Sequence, residues 1–226
     1  MAQGDTFSAF FYGTLMHPAI LRRVIGHQGA NLEICPALLL EHTRHHIKHA
    51  DYPGVIPYNR TRELLSGREL APEDRTVRGT LVQGLSNTDV ALLDVFEGDE
   101  YAREIVSVHP LSKFVPLADN DSNATLVPTK PLPVPPLSSL APPHTAHIYI
   151  WTNPVSDLRP EIWEYEQFVR ESASKWVGDG STGNQDYQRV DERRAMNGVI
   201  VRKEIGGESE GPTVVAIEAE PLYSLD

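Results

Sequence analysis

The sequence predicts one domain that mixes strands with helices, interrupted by a long loop insertion and followed by a C-terminal extension. Three observations carry that reading. A chain of 226 residues suits a single core with trimmings better than two. Short runs of β-formers alternate with stretches of helical spacing. One block, residues 109–145, is too dense in proline for a helix or a central strand.

Taken in order, Ser8 to Tyr12 is short, aromatic and ends at Gly13, so it reads as a buried strand running into a loop. Met16 to Val24 has the spacing of a short helix, with Pro18 in the first turn, where its missing N–H costs nothing. Ala37 to Lys48 reads as a strand or strand pair. The turn Asp51-Tyr52-Pro53-Gly54 and an apolar piece, Val55 to Tyr58, follow it. Residues 59–75 carry mixed charge and read as a variable excursion. Val77 to Val82 alternates like a strand. Ser86-Asn87-Thr88-Asp89 is a capping-box signature. It opens a helix from Asp89 to Phe96 with apolar Val90, Leu93 and Phe96, and Gly98 is expected as its left-handed stop. Arg103 to Val108 reads as a strand. The proline block then reads as a polyproline-rich, mobile insertion in a surface loop, with docking to a proline-reading partner a role open to it. Thr145 to Trp151 resumes as a strand. Pro160 to Val177, with Trp163, Phe168 and Trp176, is expected as an amphipathic helix that closes a domain of residues 1–177. Residues 178–226 form a Gly- and Glu-rich, partly ordered extension with a strand expected at Thr213 to Glu218.

Hydrophobic residues make up 40% and charged residues 23%, an ordinary globular mixture. The formal charge of −11 argues against nucleic acid or an anionic membrane as partner. The longest apolar runs, such as Ala37 to Leu40, are far shorter than the roughly 18 residues that a spanning helix needs. The N-terminus lacks the basic region of a secretory signal. The single Cys35 rules out an internal disulfide framework, and a cytoplasmic setting is expected. The sequons at Asn59 and Asn123 mean little without a signal.

Several clusters invite a site and are read as bland. His42, His45, His46 and His49 would share a face at helical spacing, but on a strand His42 and His46 oppose His45 and His49, so no metal site is expected. Asp119 to Asn123 lacks the Gly and distal Glu of a calcium loop. Cys35 reads as a small buried hydrophobe.

Two segments stand apart. In Phe10-Phe11-Tyr12-Gly13-Thr14-Leu15, a strand ending in Gly and Thr before a helix start presents unpaired backbone N–H groups in one concavity, suited to a carboxylate or a developing oxyanion. Gly13 equally permits a plain turn. In Leu92 to Arg103, Glu97 falls at the C-terminal end of the expected helix. There the negative helix dipole and partial burial would both raise its pKa, as suits a group that takes a proton and returns it. A solvated glutamate at a helix end is the other reading.

As an ordered set, Tyr-Gly-Thr-Leu, a Tyr-Pro pair about forty residues on, and Leu-Asp-x-Phe-Glu-Gly with Tyr and Arg close behind resemble the γ-glutamyl cyclotransferase superfamily. The nearest branch is that of γ-glutamylamine cyclotransferases and the plant avirulence-induced proteins. The similarity runs from Phe7 to Trp151 with the proline block left out. It implies an α+β fold, a small twisted mixed β-barrel flanked by helices with a cavity at one end. It implies that Tyr12, Gly13, Thr14 and Leu15 hold the γ-glutamyl moiety through backbone amides, that Glu97 is the catalytic glutamate, and that Tyr149 and Tyr52 contact substrate. The implied reaction is intramolecular aminolysis: the substrate's α-amine attacks its γ-carbonyl, closing 5-oxoproline and expelling an amine or amino acid. No metal or cofactor is expected, because nucleophile and electrophile already share one molecule. The only partner expected is a small γ-glutamyl compound, with oligomeric state and substrate identity left open. Two rivals stay beside this reading: a binding or regulatory protein on the same fold, and a γ-glutamyl transferase or amide hydrolase.

Overall fold

The computed structural model describes residues 6–48, 50, 52–119, 133–171 and 185–195. Its strands are β1 (Phe7–Phe11), β2 (Glu33–Leu40), β3 (His42–Ile47), β4 (Pro53–Pro57), β5 (Thr76–Leu85), β6 (Tyr101–Pro110), β7 (Val115–Pro116), β8 (His144–Trp151) and β9 (Leu158–Ile162). Its α-helices are α1 (Pro18–Ile25), α2 (Tyr58–Leu64), α3 (Asn87–Glu97), α4 (Tyr165–Glu171) and α5 (Gln185–Ala195).

The fold is α+β, built on a closed barrel. Five strands follow one another as β5-β1-β8-β6-β2, and β2 pairs back to β5. A ring of five cannot alternate direction throughout. The mismatch falls between β1 and β8, which are parallel at Ala9 and His147, while the other neighbours are antiparallel. Strand alternation then separates two cores. Phe10 of β1 and Tyr12 just after it fill the barrel with Cys35, Leu81, Ile148 and Ile150. Ala9 and Phe11 face the other way, onto a second cluster with Ile20, Val24, Leu93 and Tyr149. Burial pushes the Cys35 thiol up to about 12, so it stays a protonated, inert filler of the barrel.

Helix α1 starts with Pro18 at its first position, and the His17 ring accepts from Ala19 N–H at 3.2 Å. The capping box of α3 is complete: Asp89 N–H donates to Ser86 Oγ at 3.2 Å and Ser86 N–H to Asp89 Oδ2 at 2.8 Å. Gly98 stops this helix at φ 69°, ψ −165°. That is not the left-handed helical conformation expected from the sequence. It is a region open essentially to glycine alone, and it turns the chain out of α3 directly after Glu97.

A second sheet, β4-β3-β9, covers Trp151, Ile47, Ile56 and Leu158. Here the sequence expectation fails. Residues 158–162 form a strand, not the start of a helix at Pro160, and α4 spans only Tyr165–Glu171. Among the described residues β9 pairs with β3 alone. His45 faces Ile162 while Ile47 faces Leu158, so the register shifts along the stretch that holds Pro160, on a strand at the edge of the sheet. Trp176 lies outside the described residues.

The proline block is pinned at both ends. β6 reaches Pro110 and β8 starts at His144. Leu117 is fully buried, its N–H donates to Leu32 O at 2.8 Å, and its carbonyl takes Arg22 Nη2 at 2.7 Å. Pro133 O accepts from Arg78 Nη2 at 2.9 Å, and Ala141 O lies 2.8 Å from His109 Nδ1. Residues 120–132, where most of the expected mobility falls, lie outside the described residues, as does the strand expected at Thr213 to Glu218. The extension nevertheless holds α5, with Tyr187 and Val190 buried.

His45 is fully buried, and burial lowers its pKa from 6.5. A folded-state pKa below the unfolded one leaves stability intact above about pH 6.5. It is lost as pH falls below that value, where the unfolded chain takes the proton first. Thermal melts should therefore show Tm dropping below pH 6.5, and His45→Gln should flatten that drop. Among the described residues no helix is long and apolar enough to cross a membrane.

Candidate active site

Where β1 leaves the barrel, Tyr12 keeps its ring inside and donates its hydroxyl to Tyr149 O at 2.5 Å. Its own carbonyl takes Arg44 Nη1 at 2.6 Å. Arg44 also donates to Arg78 O at 3.1 Å and Trp163 O at 3.2 Å, and its guanidinium lies 4.8 Å from the Trp163 ring centroid. Burial lowers the Arg44 pKa to about 10, which leaves it charged at neutral pH. This half-buried cation fixes the carbonyl side of the loop. A Cβ on Gly13 would sit 3.1 Å from the Pro53 ring, so the loop packs closely on β4. Thr14–Met16 then forms a single 3-10 turn, closed by Met16 N–H to Gly13 O at 3.1 Å. The N–H groups of Thr14 and Leu15 open that turn with no acceptor among the described residues.

The end of α3 comes up beside this loop, and a cavity of about 370 Å³ lies between them. The cavity is lined by the Tyr12–Leu15 loop, Tyr52, Pro53, the Phe96–Tyr101 segment, Tyr149 and Gln185. All the residues singled out in the sequence, Glu97, Tyr12, Gly13, Thr14, Leu15, Tyr52 and Tyr149, are brought together there.

The tyrosines are tied down. Tyr52 donates to Glu100 Oε2 at 3.3 Å, Tyr101 to Pro53 O at 3.0 Å, and Tyr149 to Asp94 Oδ1 at 2.8 Å. Burial first, then the Glu97 charge, holds the Tyr12 hydroxyl well above its ordinary pKa. Tyr149 is raised by burial, then by Asp94 and Glu97, and Tyr101 by burial, then by Tyr12 and Glu97. One carboxylate therefore acts on three phenols, two buried and one, Tyr101, half-buried, each of which keeps its proton.

The sequence reading gave no role to Asp94, Arg44, Tyr101, Arg103 or Gln185. The first four sat in or beside the motifs, or among the histidines, without a partner to assign. Gln185 carried no signal. It reaches the cavity because α5 packs on α3: the Tyr187 ring lies 5.9 Å from that of Phe96 and 5.3 Å from the Arg23 guanidinium, and Arg23 pairs with Asp191 at 2.9 Å. Tyr187→Ala should cost about 3 kcal/mol of packing and loosen this wall. Hydrogen exchange over 185–195 should then rise well above that of β1.

On β3, His45 is buried and His42 and His46 are half-buried on the opposite face, while His49 lies outside the described residues. Among the described residues no three His, Cys, Asp or Glu side chains gather to hold a metal ion.

The family described as Gamma-glutamyl cyclotransferase, AIG2-like, matches residues 9–170. The chain belongs to this family. No curated protein matches it. Among solved structures, the chain is similar to At5g39720.1 from Arabidopsis thaliana, at 19% identity over 77% of this chain and 88% of that one, with a TM-score of 0.45. It is similar to At3g28950.1 from the same plant, at 16% identity over 92% and 99%, with a TM-score of 0.48. A third is a glutathione-specific γ-glutamyl cyclotransferase from yeast, at 15% identity over 88% and 90%, with a TM-score of 0.45. For this cyclotransferase-family chain the matched span takes in the loop, α3, β8 and α4, and it ends before α5.

Proposed function

We propose that the chain is a γ-glutamyl cyclotransferase-like enzyme that releases 5-oxoproline and an amine from a γ-glutamyl compound. The observation that carries this reading is one cavity lined both by Glu97 and by the Thr14–Leu15 turn, whose N–H groups have no acceptor among the described residues. Those N–H groups receive the anionic end of the γ-glutamyl moiety or the developing oxyanion. Glu97 takes a proton from the α-ammonium, the freed amine attacks the γ-carbonyl, and Glu97 returns the proton to the leaving nitrogen. The substrate brings nucleophile and electrophile together, so the protein's work is orientation and proton transfer.

Support for a narrower substrate class comes from the charge on the wall. The charged residues lining the cavity are Glu97, Asp99 and Glu100, with no Lys, Arg or His among the described lining residues. A carboxylate on the leaving group would meet like charge there, at roughly 1–4 kcal/mol per close pair. The preferred substrates are γ-glutamyl amides of neutral or cationic amines. The test is a panel of γ-glutamyl alkylamides, γ-glutamyl amino acids and glutathione, assayed for 5-oxoproline by mass spectrometry. Expected are lactam formation and a kcat/KM about tenfold higher for the alkylamides. Glutathione as the best substrate would reject the charge argument, and no lactam from any member would reject the enzyme reading.

A further inference from the structure

A phenol has one proton to donate, and each of the four tyrosines bordering the cavity has committed it: Tyr12 to Tyr149 O, Tyr52 to Glu100, Tyr101 to Pro53 O, and Tyr149 to Asp94. What these oxygens have left to offer a ligand is lone pairs. Tyr149 differs from the others in the strength of its lock, because the carboxylate that accepts its proton at 2.8 Å is itself held, whereas Tyr52 reaches Glu100 only at 3.3 Å. Asp94 Oδ1 takes the Tyr149 hydroxyl at 2.8 Å and Arg103 Nε at 2.9 Å. Arg103 faces Tyr149 across the β6–β8 ladder, so backbone pairing sets its distance from both partners. Asp94 lies three residues before Glu97 on α3, which makes them neighbours on the helix surface. Glu97 charge is felt at the Tyr149 hydroxyl. The Tyr149 hydroxyl thus gives its proton to Asp94 and keeps its lone pairs, and Tyr149 and Glu97 line the same cavity. An acceptor oxygen and a carboxylate on the wall of one cavity suit a cation.

We infer that Asp94, locked by Arg103, is a positioning residue that holds the Tyr149 hydroxyl as an acceptor for the α-ammonium of the γ-glutamyl substrate. This rests on the cyclotransferase reading above. With Asp94 removed, the phenol is free to turn its proton into the cavity. It then competes with the ammonium instead of receiving it.

The test compares the wild type, Asp94→Ala, Asp94→Asn, Tyr149→Phe and the Asp94→Ala/Tyr149→Phe double variant, all as the full chain. Two ligands are used: a γ-glutamyl alkylamide as substrate, and the matching glutaric acid mono-alkylamide, which lacks the α-amine, as a competitive inhibitor. Asp94→Ala is expected to raise KM about tenfold with kcat within about threefold, the mark of a lost ground-state contact. The inhibition constant of the amine-free analogue should stay within about twofold. Asp94→Asn, which still offers Tyr149 a carbonyl oxygen, should restore most of the KM even if the alanine variant folds poorly. The double variant should be no worse than Tyr149→Phe alone. Equal weakening of both ligands, or no gain from Asp94→Asn over Asp94→Ala, would overturn the positioning role while leaving the reaction intact. No lactam from wild type would overturn both.

Discussion

Glu97→Gln is expected to abolish 5-oxoproline formation while leaving the cavity and the fold in place. Glutamine keeps the size of the side chain and one acceptor oxygen but cannot carry a proton from ammonium to leaving nitrogen. General acid–base transfer contributes about 10²–10⁴-fold. The substituted chain should fall by at least that range in kcat, because no other carboxylate that lines the cavity stands on α3. Asp99 and Glu100 follow the Gly98 turn, and Glu100 already accepts the Tyr52 hydroxyl. KM should rise by no more than about threefold, since glutamine keeps one acceptor oxygen for the ammonium and the N–H groups of Thr14 and Leu15 and the tyrosine oxygens remain. A second readout separates this from unfolding. The Glu97 charge raises the pKa of Tyr12, Tyr101 and Tyr149, so the variant should show earlier phenolate absorbance on alkaline titration at an unchanged Tm. An unchanged kcat would remove Glu97 from the chemistry.

Gly79→Ala is expected to be the most damaging single change outside the site. A Cβ there would lie 2.2 Å from Phe11 O and 2.6 Å from Phe10 Cζ. The first of these is backbone and cannot swing aside. Gly79 is needed for space alone: β5 and β1 come together there while the Phe10 ring turns into the barrel. Overpacking a core commonly costs about 1–3 kcal/mol, and here the displaced strand is the one that carries Tyr12 and Gly13. A loss of about 3 kcal/mol in unfolding free energy, read as a lowered denaturant midpoint, with lowered activity in the folded fraction, is the expected pair of results. A midpoint equal to wild type would show that the barrel closes less tightly at this point than described.

Much of this molecule was legible in its sequence where local chemistry and tertiary packing agree. The Ser86–Asp89 box, Pro18 at a helix start and the aromatic run of β1 each specify their element on the spot, while the family resemblance, not the residues alone, pointed to Tyr12, Glu97 and Tyr149, which line one cavity. What escaped reading depends on distant partners. Pro160 looks like a helix start until β3 supplies an irregular edge that tolerates it. α5 has few apolar residues and stands on Tyr187 and Val190 against a surface more than eighty residues upstream in the chain. Arg44 sat among histidines in an unremarkable strand, and its work is to hold carbonyls of Tyr12, Arg78 and Trp163. The conformation of Gly98 belongs to the same class: a stop was readable, but its ψ follows from where β6 must begin.

The measurement that bears most directly on intramolecular aminolysis is turnover of a γ-glutamyl alkylamide in water enriched in oxygen-18, with products weighed by mass spectrometry. The account predicts 5-oxoproline carrying no solvent oxygen, released one for one with the amine. Glutamate bearing one oxygen-18 in its γ-carboxylate would contradict it, because water and not the substrate's own amine would then have opened the amide.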